Sequence, residues 1–157
     1  MAFKTGKLVN NETGQGYTHF AVFDYDGINT YSTSSAQATI GEIPANGAIS
    51  LVAVIERVAL AGATDITLDV GTTAGDPDEY IDALDVDGMS GPVSNTGDSF
   101  VQAAGTTTIE AGERPLYVSS ATPILAEWNG TTGDLTAGEV LILMRILDPF
   151  ANVRATG

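Results

Sequence analysis

Two apolar runs constrain the fold of this 157-residue chain more than any other feature. Residues 49–60 read ISLVAVIERVAL, and residues 139–147 read EVLILMRIL. Both are rich in β-branched and aliphatic residues, and both are apolar at consecutive positions rather than only at alternate ones. The pattern predicts two strands with both faces covered. In a small sandwich the outer face of a strand normally meets water, so the excess indicates burial against another chain.

Shorter apolar segments, separated by glycine, asparagine and proline turns, occupy much of the remaining chain. The predicted strands are residues 17–23, 28–31, 49–60, 65–70, 106–109, 116–119, 124–128 and 139–147. We expect residues 17–23 and 28–31 to form a hairpin. We also expect residues 49–60 to pair with residues 65–70. Residues 129–138 are predicted to be a long hairpin connection to the last strand.

This element content predicts an all-β fold, a jelly-roll-like two-sheet β-sandwich with one short helix. The polar first residues carry two lysines and end near two glycines, which predicts an N-terminal arm at residues 1–16. The β-sandwich domain is predicted at residues 17–148. A C-terminal tail at 149–157 follows Asp148 and Pro149, which end the last strand.

Composition excludes several classes of function. The chain has no cysteine, which rules out disulfides, zinc-thiolate sites and cysteine nucleophiles. A formal net charge of −14 argues against a nucleic-acid partner, because such binding depends on Lys and Arg at phosphates. No apolar run approaches the roughly 20 residues of a membrane-spanning helix, and the first residues lack a secretory signal. We therefore expect no membrane partner, and synthesis in a cytoplasm.

The acidic residues 75–88, GDPDEYIDALDVDG, first suggest a calcium loop. An EF-hand loop starting at Asp76 fails, because its sixth position is Ile81 instead of glycine and its twelfth is Asp87 instead of glutamate. A helix start explains more, with Asp76 as the cap, Pro77 in the first turn and Glu79 near the positive end of the dipole. Whether calcium binds near Asp85 and Asp87 stays open.

No recognisable active site emerges. His19 is the only histidine, which excludes a site built from several histidines and leaves one candidate for a triad. No nucleophile elbow or phosphate loop is present. The 20 acids offer pairs of carboxylates for glycoside hydrolysis, and aromatic residues such as Trp128 could stack on sugars. We predict a protein that is not an enzyme, with no catalytic, cofactor-binding or metal-binding residues and no cofactor.

Two segments resemble small structural proteins of tailed bacteriophages. They are residues 61–82, AGATDITLDVGTTAGDPDEYID, and residues 131–140, TTGDLTAGEV. In that group a strand ending in Val-Gly precedes a Gly-Asp turn, and a final strand follows a Thr-Ala-Gly-Glu-Val-like turn. The resemblance implies a β-sandwich virion component of the head-decoration, cement or fibre-like kind, often trimeric, with no catalytic residues.

The expected function is a capsid decoration or cement protein that binds the outer head surface as a homotrimer. Its partners are then a second copy of the chain and the major capsid protein, and its location is the capsid surface of the virion. Lys4 and Lys7 are the predicted capsid anchors. The predicted subunit interface is Leu51, Val54, Leu141 and Leu143.

Two alternatives remain. One is a carbohydrate-binding or host-attachment module that uses loops such as residues 129–138. The other is a small hydrolase with a pair of carboxylates, one of them with a raised pKa.

Overall fold

A computed structural model describes residues 3–8, 16–34, 36–89, 93–94, 116–130 and 134–149. In this part of the chain there are ten strands and one helix. They are β1 (Phe3–Lys7), β2 (His19–Asp24), α1 (Tyr25–Ser34), β3 (Gln37–Ile43), β4 (Ala48–Ala61), β5 (Thr67–Gly71), β6 (Ile81–Asp85), β7 (Val93–Ser94), β8 (Leu116–Tyr117), β9 (Thr122–Asn129) and β10 (Ala137–Leu147).

The strands form two antiparallel sheets. Sheet A has the order β1-β2-β10-β4-β7, with β8 also paired to β4, and sheet B has the order β3-β9-β5-β6. The predicted all-β, two-sheet sandwich with one short helix is confirmed. The predicted arm at residues 1–16 includes β1, an edge strand of sheet A. The division of the chain at residues 16 and 148 stays a prediction.

The core lies between the sheets and follows from the alternation of side chains along each strand. In sheet A, Ile142 pairs with Val54 and Met144 pairs with Val52, and all four side chains are fully buried. The core residues of sheet B are Ala38, Ile40, Ile43, Leu68, Val70, Ile124, Ala126 and Trp128. Both sets belong to one continuous cluster.

An aromatic group closes one side of this core. Phe3 stacks on Phe23 with ring centroids 4.7 Å apart, and Tyr31 meets both rings edge-on. Trp128 from sheet B contacts Phe23 at 5.3 Å. Edge-to-face and stacked pairs contribute beyond their buried area, so this group ties β1, β2, α1 and β9 together.

The helix is not where the sequence predicted it. Residues 28–31, predicted as the second strand of a hairpin, lie in α1. Asp24 caps that helix, because its Oδ1 accepts the Gly27 N–H at 2.8 Å. Ile28 and Tyr31, three residues apart, turn toward the core. The hydroxyls of Thr30 and Thr33 donate back to carbonyls four residues earlier, which makes a Ser/Thr-rich segment compatible with a helix.

The predicted helix start at Asp76 is wrong, since the segment turns back and forms β6. The Glu79 carboxylate accepts the Thr72 N–H at 2.7 Å and the Thr73 hydroxyl. The Tyr80 N–H then donates to the Val70 carbonyl at 2.8 Å. Glu79 therefore bonds to the loop behind it instead of the start of a helix.

Two predicted pairings are also wrong. β4 and β5 do not pair, because β4 lies in sheet A and β5 in sheet B. The connection from β9 to β10 is not a hairpin, since it crosses between the sheets. Asn29 of α1 holds the end of that connection, with its Nδ2 donating to the Leu135 carbonyl at 2.9 Å and its Oδ1 accepting the Leu135 N–H at 2.8 Å. The predicted strand at 106–109 lies outside the described residues.

Replacing the carboxylate of Glu79 should destabilise the fold. Burial raises the pKa of Glu79, but hydrogen bonds from Thr73 and Thr72 outweigh it and hold the pKa below its usual value. A carboxylate with a lowered pKa stabilises the fold above its unfolded-state pKa, and this is lost as pH falls through the folded-state pKa. We expect Glu79→Gln to lower the free energy of unfolding by about 1–2 kcal/mol at pH 7 in urea titrations.

The control is Glu42→Gln, at an exposed position of β3. The difference between wild type and Glu79→Gln should shrink in acid. Equal stability of the two proteins at pH 7 would contradict this role of the carboxylate.

Candidate interaction surface

The outward side of sheet A is apolar across three adjacent strands. In the ladder Leu143 pairs with Phe20 on one side and Ala53 on the other, and Leu141 pairs with Val22 and Ile55. These residues alternate with the inward core residues of the same strands, so they share the opposite face. We call the set Phe20, Val22, Ala53, Ile55, Leu141 and Leu143 the sheet A outer face. Ala53 and Leu143 are buried and the other four are partly exposed, and an apolar area that spans three strands is typical of a contact surface.

Two of the predicted interface residues, Leu141 and Leu143, belong to this face. Leu141 is partly buried and Leu143 is 7% exposed. Val54 instead lies between the sheets, fully buried beside Ile142, because it alternates with Ala53 and Ile55. A contact surface built on the outer face therefore does not include Val54. Leu51 pairs with Arg145 in the ladder, and its side chain is not among those that the structure describes.

The predicted anchors lie on β1 but on opposite faces of it. Both Lys4 and Lys7 are exposed. Lys4 pairs with Val22 and borders the sheet A outer face, whereas Lys7, three residues on, pairs with His19 and projects to the other side. The separation was not predicted, because residues 1–16 were predicted as an arm and not as a strand with alternating side chains. Their role as capsid anchors stays a prediction.

The outward side of sheet B is acidic. Its four strands carry Glu42, Asp69, Asp82, Asp85 and Glu127 and contain no lysine or arginine. Burial raises the pKa of Asp69, and the charges of Asp82 and Glu127 add to this, against hydrogen bonds from the Ala83 N–H and Asn129. Sequence reasoning missed this polarity, because it depends on which strands share a sheet.

Asp69 and Glu127 are the nearest approach to the carboxylate pair of the hydrolase alternative. They are directly paired across β5 and β9 on the outward side of the sheet. Asn129 Nδ2 donates to Asp69 Oδ2 at 3.1 Å, and Gln37 Nε2 donates to Glu127 Oε2 at 2.6 Å. The two acids lie side by side on one sheet face, rather than across a sugar from each other as glycoside hydrolysis requires.

The acids near the possible calcium position bond to the backbone. Asp87 Oδ1 accepts the Ile66 N–H at 2.7 Å, and Asp85 Oδ1 accepts the Gly88 N–H at 2.9 Å. Asp87 fastens the turn after β6 to the residue before β5, and Asp85 closes that turn. Within the described ranges, no group of three or more His, Asp or Glu side chains could hold a metal ion.

The contacts of His19 and Trp128 fit a structural role rather than catalysis or sugar binding. His19 Nδ1 lies 2.8 Å from the Thr18 hydroxyl, where a triad would place a carboxylate. Burial lowers the pKa of His19, and the charge of Lys7 adds to this. Trp128 is fully buried against Phe23, so its ring is not a sugar-stacking surface. The one helix in the described part of the chain, α1, is not long and apolar enough to cross a membrane.

Two solved structures from phage capsids share this fold. One is described as the capsid asymmetric unit of cyanophage Pam1; its similar chain has a TM-score of 0.52 and 18% identity, over 90% of this chain and 81% of that one. The other is described as the acidic stable capsid structure of Helicobacter pylori bacteriophage KHP30, with a TM-score of 0.51 and 10% identity over 94% of both chains. At these identities the likeness shows the fold alone.

No protein-family model matches the chain, and no curated protein matches it either.

Removing the aromatic ring of Phe3 should loosen β1 at the edge of the sheet. Phe3 provides the ring contacts of β1 with Phe23 and Tyr31, while Lys4, Thr5 and Lys7 are exposed. We expect Phe3→Ala to speed amide hydrogen exchange in β1 by roughly tenfold or more. Mass spectrometry of the N-terminal peptide measures this, with Thr5→Ala as the control. Unchanged exchange in Phe3→Ala would show that the ring contributes little to β1 docking.

Proposed function

We propose that this chain is a non-enzymatic structural protein of a tailed-phage virion, a decoration or cement protein that binds the outer surface of the head as a homotrimer. The observation that carries the proposal is the fold shared with two phage capsid structures over at least 90% of this chain. Fold alone does not fix function, so the surface has to support the role as well.

The sheet A outer face supports an assembled role. It carries aliphatic and aromatic side chains from β2, β10 and β4, of which Ala53 and Leu143 are already buried and the other four are partly exposed. Contact with another protein would remove the exposed part of those four side chains from water, at about 25 cal/mol for each Å² of apolar surface. A trimer would touch several shell subunits at once, so weak individual contacts would add to tight attachment. Shell subunits joined in this way resist separation.

The described polar sites also favour a binding role over catalysis. The Asp69 and Glu127 pair lies on an open sheet face, and His19 bonds to a threonine. Within residues 75–88, the carboxylates of Glu79, Asp85 and Asp87 accept hydrogen bonds from backbone N–H groups and a threonine hydroxyl of the fold. Each set of polar groups is accounted for by the structure of the sandwich.

The direct test of the virion role is mass spectrometry of purified virions from a phage that encodes the chain. We expect its peptides in intact particles at an abundance comparable with the major shell protein. Mild treatment that strips outer proteins should release it while the shell stays closed. Its absence from purified virions would contradict the proposal.

A charge placed on the sheet A outer face should disrupt assembly. We expect Leu141→Asp to weaken self-association or head binding by about tenfold or more, because a buried aspartate would have no partner there. Thr39→Asp is the matched control, at an exposed position of β3 in sheet B. Light scattering measures the solution mass, and co-sedimentation with undecorated heads measures binding. Equal self-association and equal head binding of the two variants would show that this face contributes to neither contact.

A further inference from the structure

Two edge strands of the sandwich, β1 in sheet A and β6 in sheet B, carry opposite charges. The edge strand β1 has Lys4 and Lys7 and no acid. The edge strand β6 has Asp82 and Asp85 and no base. The charged residues of β1 are therefore all positive, and those of β6 are all negative.

These edges lie on opposite sides of the molecule. β1 ends sheet A, and β3 of sheet B packs beside β1 and β2. β6 ends sheet B on the far side, three strands from β3. At about 4.8 Å for each strand spacing, β6 lies about 14 Å across the sheet from β3. Among the described residues, a contact at one of these two strands therefore does not involve the other.

Charges on edge strands generally keep strands of other molecules from pairing. Here the exclusion is selective, because two β1 edges repel, two β6 edges repel, and a β1 edge attracts a β6 edge. A contact between different surfaces of identical chains is heterologous, and it closes into a ring when the rotation allows. A threefold ring requires a contact of this type.

We propose that in the homotrimer the β1 edge of each copy contacts the β6 edge of the next, with Lys4 and Lys7 facing Asp82 and Asp85. The inference rests on the proposed trimer and names its contact surfaces. The contact is between side chains and is not a continuous strand ladder. Ala83, in the middle of β6, has a positive φ of 46°, which interrupts the regular strand backbone, and its N–H donates to Asp69 of the same chain.

Four proteins test this by light scattering at equal concentration: wild type, Lys4→Glu/Lys7→Glu, Asp82→Lys/Asp85→Lys, and the quadruple variant. We expect a trimer for wild type and at least about tenfold weaker association for each double variant. The quadruple variant should form trimers again, because its edges are complementary with the signs exchanged. High salt should weaken the wild-type trimer.

Two further measurements keep the outcomes distinct. Asp134→Lys makes the same change in net charge as Asp82→Lys alone, at an exposed position outside both edge strands, and should leave the trimer intact. Asp82→Lys alone keeps the Asp85 bond to Gly88 and removes a charge that acts on Asp69, so it should fold and still weaken the trimer.

A monomeric wild type would contradict the trimer itself and, with it, this inference. A trimeric wild type whose Lys4→Glu/Lys7→Glu variant is also trimeric would overturn the inference alone. If that variant in addition lost binding to heads, the lysines would be capsid anchors, as the sequence predicts. Failure of the quadruple variant to regain trimers, when it unfolds as cooperatively as wild type, would also overturn the inference.

Discussion

The rest of the structure depends on the antiparallel ladder between β4 and β10. It runs from Ala48 paired with Leu147 to Ala61 paired with Ala137, and its register decides which side of each strand faces the core. A slip of one residue would exchange the two faces, placing Leu141 inside and Ile142 outside. β2 adds to the other edge of β10 and β1 adds to β2, so the same register also sets the sheet A outer face.

The two outward faces give the molecule different properties. Sheet B presents acids and hydrogen-bonded amides, which suits contact with water and keeps a chain of net charge −14 soluble. Sheet A presents apolar side chains, for which contact with another protein is favourable. A chain with this asymmetry can stay dissolved before assembly and bury one face afterwards. That is the physical basis of the structural role proposed for it.

The sequence predicted the strands with the strongest signal and missed elements decided by local hydrogen bonds. Residues 49–60 and 139–147 are strands, because long β-branched runs favour this conformation whatever they pair with. Residues 28–31 of α1 were predicted as a strand, since the start of the helix depends on the Asp24 cap and aromatic residues suit either structure. Residues 75–88 have the sequence pattern of a helix start. In the structure, however, the Glu79 carboxylate accepts the Thr72 N–H of the preceding loop. Val54 was assigned to the surface because a continuous apolar run does not reveal which residues face outward.

Electron cryo-microscopy of the virion tests the central claim most directly. The account predicts density for this sandwich on the outer surface of the head, with the sheet A outer face covered by protein and the acidic side of sheet B turned to solvent. A head without such density would contradict the proposed role. Density in which the sheet A outer face is open to solvent would contradict the explanation for its apolar surface.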